Sequence, residues 1–232
     1  GPRRARRARR RRGITMLAAD SHAIVAPAAR AHLMGCLQQK PTLCGRARGQ
    51  ACTSPMIPTI RLASSDDAAS LAELAARTFR DTFGADNRPE DLALHLASSY
   101  GPLQQARELA DPGIITLVAE AEGSLVAFAQ LRRGAPPAAV VGPAPIELWR
   151  FYLASDWHGR GLAQRLMARV VNEARSAGAA TLWLGVWERN PRAIAFYRKA
   201  GYAEVGTHVF VVGRDPQTDR IMTRALAGMG AA

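Results

Sequence analysis

The sequence predicts an α/β domain at residues 56–232, preceded by a basic leader at residues 1–55. Two apolar runs joined by a short polar connection predict a β-hairpin, and two later strand-like runs each lead into a run with helical periodicity. The chain of 232 residues is long enough to bury a substantial core and too short for two large domains. A single mixed domain therefore accounts for the pattern.

The elements before the hairpin are indicated by capping residues and helical spacing. A short strand is predicted at 57–63, and Ser64 to Asp67 then supply cap side chains and acids that favour a helix start. Apolar positions of this helix recur every three or four residues: Leu71, Leu74, Ala75, Phe79 and Phe83. Pro89 begins a second helix, because proline is tolerated in a first turn, and a third short helix follows Pro102.

A hairpin and a central strand are predicted in the middle of the domain. The apolar runs 114–121 and 125–131 flank a short polar connection that contains glycine. A loop rich in proline follows at 135–145, and the aromatic-rich run 146–153 then predicts a central strand.

The last third of the domain continues the alternation of helices and strands. The helix predicted at 161–177 has one apolar face, formed by Leu162, Leu166, Met167, Val170, Val171 and Ala174. A buried strand is predicted at 181–187, and a helix from Pro191 ends at Gly201. The run 202–212 is predicted to form a further hairpin.

The positive charge of the chain is concentrated in the leader. Up to Ile57 there are 12 Lys and Arg against one acid, whereas the remainder has 19 Lys and Arg against 18 acids. We therefore predict a leader that is disordered in isolation. It is a nucleic-acid-binding arm, an organelle-targeting peptide or translated sequence upstream of a start at Met16 or Met56. The third alternative is favoured, because 15–55 shows no sustained periodicity.

Composition excludes several classes of protein. No uncharged apolar run approaches the length of about 18 residues that spans a bilayer, so no membrane association is expected. All three cysteines, Cys36, Cys44 and Cys52, lie in the leader. We therefore predict a cytoplasmic domain without disulfides or a cysteine-rich zinc site. The histidines have no metal-ligand spacing, and no metal is expected.

A glycine-containing turn joins the predicted central strand to the helix at 161–177. Its sequence, His158-Gly-Arg-Gly-Leu-Ala163, places glycines where unpaired backbone N–H groups and the helix dipole favour an anion. Alone, this pattern more often marks only a tight turn. It is not a P-loop, and Gln164 stands where a dinucleotide-binding motif has its third glycine.

A second motif follows the strand at 181–187. It reads Asn190-Pro-Arg-Ala-Ile-Ala-Phe-Tyr-Arg-Lys-Ala-Gly-Tyr202. Together the two motifs resemble the GNAT superfamily of N-acetyltransferases over about 57–226, although His158 stands where the superfamily usually has Gln or Arg. The resemblance implies a mixed, mostly antiparallel sheet flanked by helices on both faces, with acetyl-coenzyme A as co-substrate. The segments 79–91 and 210–219 resemble the bacterial spermidine/spermine acetyltransferase branch.

The resemblance also implies which residues bind the cofactor. They are the end of the central strand, the glycine turn and the start of the later helix: Phe151, Leu153, His158, Gly159, Arg160, Gly161, Leu162, Ala163 and Asn190. Asn190 equally fits a helix N-cap before Pro191, and the two roles are compatible.

The chemistry requires an amine to lose a proton and a thiolate to gain one. Glu147 is the first candidate for the base and Glu188 the second. The alternative for Glu147 is an ion pair with an arginine such as Arg150. By resemblance Tyr197 is the acid, and its alternative role is core packing beside Phe196. Because the domain has no cysteine, we expect direct transfer in a ternary complex.

The acceptor is predicted to be a small primary amine, with a polyamine suggested by the closer resemblance. Asp81, Asp86, Glu90 and Asp91 would bind its ammonium groups, although Glu90 and Asp91 also fit a helix start. The alternative function is an acyl-coenzyme A sensor whose leader binds nucleic acid. Nucleic acid is disfavoured as a partner, because the excess positive charge lies outside the domain. A homodimer is an open alternative.

Overall fold

The computed structural model describes residues 22–23 and 57–226. These residues form eight strands: β1 (His22–Ala23), β2 (Thr59–Leu62), β3 (Ile114–Ala121), β4 (Ser124–Arg132), β5 (Pro145–Leu153), β6 (Thr181–Trp187), β7 (Ala203–Val212) and β8 (Asp215–Ala225). They also form five α-helices: α1 (Ala68–Phe83), α2 (Pro89–Ser99), α3 (Pro102–Ala110), α4 (Leu162–Ser176) and α5 (Pro191–Lys199).

The strands form one mixed sheet in the order β2-β3-β4-β5-β6-β8-β7, with β1 beside β5. Neighbouring strands are antiparallel except for the parallel pairs β5 with β6 and β1 with β5. The predicted mixed, mostly antiparallel sheet is therefore confirmed.

The hydrophobic core has a main cluster on each face of the sheet. On one face α4 and α5 pack against β3 to β6, and all six predicted apolar residues of α4 are buried. On the other face α1 and α2 pack over β4 and β5, and the five predicted apolar residues of α1 are at most 2% exposed. Helical spacing thus predicted which side of each helix meets the sheet.

The predicted hairpin at 202–212 is wrong. Residues 203–212 are the single strand β7, and the turn at Gly213 and Arg214 leads into β8, which pairs with both β7 and β6. Phe210 and Val212 are buried while Val209 is exposed, so the apolar run reflects two faces of one strand. Such alternation gives no internal turn.

Only two residues of the leader are among those described. His22 and Ala23 pair in parallel with Arg150 and Phe151 of β5, and the rest of the predicted leader lies outside the described residues. Within the described part of the chain, no helix is long and apolar enough to cross a membrane.

Candidate active site

Strands β5 and β6 separate near the centre of the sheet. They pair in parallel only over 145–147 and 181–183, with no further pairing of these strands among the described residues. On the other side of β5, Leu148 and Arg150 have partners on β4, and Trp149 is an extra residue between them. A bulge of this kind bends a strand locally. The result is the β5–β6 gap, which begins beyond residues 147 and 183. The two residues of β1, His22 and Ala23, lie in it, paired with Arg150 and Phe151 of β5 and in contact with β6.

The turn between β5 and α4 has two glycines with left-handed backbone conformations. φ is 75° at Gly159 and 78° at Gly161, the N-cap of α4. Residues with side chains rarely adopt such angles. A Cβ added at either glycine would meet no protein atom within 4 Å, so the backbone here is open to a ligand. Because the first N–H groups of a helix lack intrahelical partners, this turn can bind an anion.

A cavity of about 290 Å³ lies beside this turn, and we call it the turn cavity. Five predicted cofactor residues line it: Leu153, His158, Gly159, Gly161 and Ala163. The rest of the lining was not predicted and comes from α4 and α5: Gln164, Arg192, Ala195, Phe196 and Lys199. Arg192, Ala195, Phe196 and Lys199 lie inside the second motif, and Gln164 follows the first motif directly. Proximity to the two motifs was therefore a usable signal for all five.

The other four predicted cofactor residues lie outside the lining of the turn cavity. Leu162 is buried in the core, and Arg160 lies over a tryptophan ring at 5.4 Å. Phe151 stacks on Phe196 with 5.7 Å between ring centroids. Asn190 accepts a hydrogen bond of 3.0 Å from a backbone N–H of α5, so the predicted cap is confirmed. Of these four residues, Phe151 contacts the lining of the turn cavity directly, through Phe196.

His158 lies beside Arg192, in the turn that precedes the N-terminus of α4. Its Nδ1 is 3.4 Å from Nη1 of Arg192, and its Nε2 is 3.3 Å from the carbonyl oxygen of Leu153. Burial lowers the pKa of His158 below 6.5, and the charge of Arg192 lowers it further. The imidazole is therefore mainly neutral at pH 7, and Arg192 supplies the positive charge next to the turn.

Tyr197 is 0% exposed on the inner side of α5. Its hydroxyl has no hydrogen-bond partner within the described part of the chain. Its ring lies edge-on to Phe151 and Tyr202, at 6.3 and 5.7 Å between centroids. Burial raises the pKa of Tyr197 well above 10.0, so the hydroxyl keeps its proton. A buried donor of this kind is suited to a ligand that enters the sheet.

Glu147 is 4% exposed at the start of the β5–β6 gap. Its Oε2 accepts hydrogen bonds from Nε and Nη2 of Arg132, at 3.1 and 2.7 Å. Its Oε1 is buried and has no hydrogen-bond partner among residues 22–23 and 57–226. The alternative role predicted for Glu147, an ion pair with an arginine, is therefore present, with Arg132 as the partner and not Arg150. Glu188, the second candidate for the base, lies exposed beyond β6.

Arg132 is itself held by the bulge residue Trp149. The guanidinium carbons of Arg132 and Arg150 lie 4.1 and 3.7 Å from the Trp149 ring centroid. Arg150 donates to Glu108 of α3 at 2.5 Å, and both residues are almost fully buried. Cation–π contacts are stronger away from water, so this arrangement fixes the arginine that binds Glu147.

The predicted acceptor-binding acids differ in their surroundings. Asp81, Asp86 and Glu90 lie exposed at the ends of α1 and α2. Asp91 is 4% exposed, and its Oδ1 accepts from the backbone N and Nε of Arg214, both at 3.2 Å. Asp91 therefore ties α2 to the turn between β7 and β8. Across the described ranges, no group of three His, Cys, Asp or Glu could hold a metal ion.

Comparison with known proteins decides the family. The model of the acetyltransferase (GNAT) family matches residues 69–202, more than half of the chain. The chain belongs to the GNAT family of acetyltransferases. This GNAT acetyltransferase is 34% identical to an uncharacterised N-acetyltransferase of Lactobacillus delbrueckii subsp. lactis, over 70% of the chain and 94% of the relative. It is 36% identical to one of Mycobacterium tuberculosis, over 69% of the chain and 98% of the relative.

The fold of this GNAT acetyltransferase matches that of solved acetyltransferases. The PaiA N-acetyltransferase from Thermoplasma acidophilum, in complex with coenzyme A, superposes with a TM-score of 0.61 at 21% identity. The match covers 73% of this chain and 99% of that one. The predicted superfamily and enzyme class are confirmed. None of the proteins named above is called a polyamine acetyltransferase, so the resemblance to the spermidine/spermine branch stays a prediction.

Proposed function

We propose that this GNAT acetyltransferase acetylates a primary amine with acetyl-coenzyme A, by direct transfer in a ternary complex. The carrying observation is the pair of buried oxygens beside the β5–β6 gap, Tyr197 Oη and Glu147 Oε1, which lack hydrogen-bond partners in the described ranges. Tyr197 belongs to the core under α4 and α5. Glu147 pairs with Arg132 of β4. Arg132 is four residues from Phe128 and therefore lies on the same face of the sheet, the face that α1 covers. The two groups thus approach the gap from opposite faces.

The residues of the turn cavity fit coenzyme A. Backbone N–H groups at Gly159 to Gly161 would hold its pyrophosphate, and Arg192 and Lys199 would add positive charge beside it. When bound, acetyl-coenzyme A supplies an acetyl group activated as a thioester. The unpartnered Tyr197 hydroxyl supports this fit, because a buried donor without a partner is unfavourable unless a ligand satisfies it.

Glu147 acts in this proposal as the general base. An alkylammonium group, with a pKa of about 10.4, must lose a proton before its nitrogen can attack. Oε1 of Glu147 accepts that proton, while Arg132 keeps hold of Oε2. Arg132 is a positioning residue, since it acts through Glu147.

Tyr197 acts as the general acid, donating its phenolic proton to the leaving sulfur. Its protonated state follows from burial, which raises its pKa. Direct transfer is supported by the sequence, because all three cysteines precede residue 57 and no thiol nucleophile lies in the domain.

The acceptor in this proposal is a small amine, and a polyamine is its more specific form. Asp81 and Glu90 are exposed carboxylates on α1 and α2. Asp91 is committed to Arg214 and supports the fold of this region instead. Exposed contacts of this kind contribute only about 0.2–1 kcal/mol each and weaken with salt.

A thiol-release assay with acetyl-coenzyme A over a panel of amines tests the proposed function. We expect thiol release that depends on the amine, with a higher kcat/KM for spermidine than for a monoamine of similar length at low salt. Equal values without salt dependence would contradict the polyamine acceptor. Binding of coenzyme A without transfer to any amine would instead support the sensor.

The proposal includes a cytoplasmic location and allows for a homodimer. The domain from residue 57 onwards lacks cysteine, which suits a reducing compartment. A second copy in a homodimer would be seen as a doubled mass in solution.

A further inference from the structure

A second cavity lies next to the turn cavity. It has a volume of about 440 Å³, within the range of about 300–1,000 Å³ that is usual for small-molecule sites. We call it the α4–α5 cavity, because one face of α4, the end of α5 and one residue of β8 form it. It shares Gln164, Phe196 and Lys199 with the turn cavity and extends along α4 to Arg175.

The α4–α5 cavity has an apolar floor and a positively charged rim. Met167 and Val171 belong to its lining and are 4% and 5% exposed, so they offer an apolar surface at its base. Arg175, Lys199 and Arg224 contribute three positive charges, and none of its lining residues is acidic.

Nearby acids are engaged by other arginines. Glu173 pairs with Arg169 at 2.7 Å, and Glu204 pairs with Arg198 and Arg220 at 3.3 and 3.0 Å. No ion pair joins the three cations of the rim to an acid in the part of the chain that the structure describes. The positive charge of the cavity is therefore not neutralised by the protein around it.

Helix dipoles explain only part of this arrangement. Arg175 and Lys199 stand in the last turns of α4 and α5, where a cation is favourable. Arg224 comes from β8 and is half-buried, with its Nε 3.6 Å from the position of a Cβ added to Gly201. Its side chain thus lies over the end of α5, and the helix ends alone do not require a third cation there.

We propose that the α4–α5 cavity binds a small organic phosphate or carboxylate with an apolar body, as a ligand separate from coenzyme A. The planar guanidinium groups of Arg224 and Arg175 match the oxygens of such anions. The apolar body packs on Met167 and Val171. Binding at this site does not depend on acetyl transfer. It rests on the proposed function in one respect, that coenzyme A binds in the turn cavity.

Titration of the full chain with phenyl phosphate, in saturating coenzyme A, tests the site. Coenzyme A fills the turn at Gly159 and Gly161, which would otherwise bind the phosphate too. We expect phenyl phosphate to bind by calorimetry or NMR, and the neutral benzyl alcohol to bind at least about tenfold more weakly. Arg224→Gln and Arg175→Gln should each weaken phenyl phosphate about tenfold. Arg169→Gln, on α4 but paired with Glu173, is the matched control and should change nothing.

Three results would overturn the site. Exclusion of phenyl phosphate by coenzyme A would assign the cavity to the adenosine end of the cofactor. Equal binding of benzyl alcohol would leave only an apolar groove, and unchanged affinity in folded Arg224→Gln protein would remove the charge recognition. Failure of the protein to bind coenzyme A would count against the proposed function instead. Phenyl phosphate would then be titrated without coenzyme A, and unchanged affinity in Arg224→Gln would still overturn the proposed site.

Discussion

The two faces of the sheet meet at the β5–β6 gap and are built in different ways. On the side of α4 and α5, the site comes from one stretch, 153–199, and its main binding surface is backbone at two glycines. On the side of α1 and α2, the site depends on side-chain pairs between distant segments. Arg214 binds Asp91 across 123 residues of sequence, and Arg132 holds Glu147 from the neighbouring strand. We infer that backbone fixes the cofactor and side chains fix the acceptor.

Tyr197→Phe is expected to have the largest effect on catalysis. Loss of the general acid should lower kcat by about 10²–10⁴-fold and leave coenzyme A affinity near normal. Tyr202→Phe is the matched control, because Tyr202 is also buried and its hydroxyl contacts only the sulfur of Met167, at 3.8 Å, among the described contacts. Normal turnover in Tyr197→Phe would reduce this tyrosine to a packing residue.

Glu147→Gln and Arg132→Gln separate the base from the residue that positions it. Glu147→Gln should lower kcat about 10²–10³-fold, as expected for loss of a general base. Arg132→Gln should lower kcat about tenfold and leave the KM for acetyl-coenzyme A unchanged, because Arg132 acts only through Glu147. Arg133→Gln, one residue further along the chain, is the control for Arg132. A kcat equal to that of wild type in folded Arg132→Gln protein would contradict the positioning role.

The contrast between the faces also explains what the sequence could predict. Helix faces, the strand at 181–187 and the glycine turn follow local rules of periodicity and capping, and the structure matches them. The ion-pair partner of Glu147 could not be predicted, because it depends on β4 lying beside β5. No local sequence pattern identifies Arg132 as that partner. The hairpin was predicted within 202–212, whereas Gly206 of that run follows a β-bulge inside β7 and the turn into β8 comes at Gly213.

Asp91→Asn tests whether the acceptor face needs Asp91 for structure. Asparagine keeps the accepting oxygen but loses the charge that strengthens both hydrogen bonds from Arg214, so the free energy of unfolding should fall by about 1 kcal/mol, measured by urea denaturation. The KM for the amine should stay nearly constant. Asp86→Asn, at an exposed position, is the control and should fall within about 0.5 kcal/mol of wild type. A raised KM with unchanged stability would restore Asp91 as an acceptor ligand.

His158 should give a small pH dependence of stability on the cofactor face. Because burial and Arg192 lower its pKa below 6.5, the unfolded chain binds more protons at this residue. Its stabilising contribution is complete above about pH 6.5 and is lost as the pH falls through the lowered pKa. The melting temperature of wild type should therefore drop more than that of His158→Gln between about pH 7.5 and 5.5. Equal drops would show that His158 titrates alike in both states.

Coenzyme A affinity of Gly161→Val, compared with Gly123→Val by calorimetry, tests the backbone anion site most directly. Both glycines have positive φ, 78° and 71°, and both have open space where a Cβ would lie. Similar backbone strain is expected in the two variants, but only Gly161 adjoins the turn cavity. The account predicts that Gly161→Val weakens coenzyme A by at least about 100-fold, whereas Gly123→Val binds like wild type. Equal affinities in two folded variants would contradict a cofactor held by the backbone of this turn.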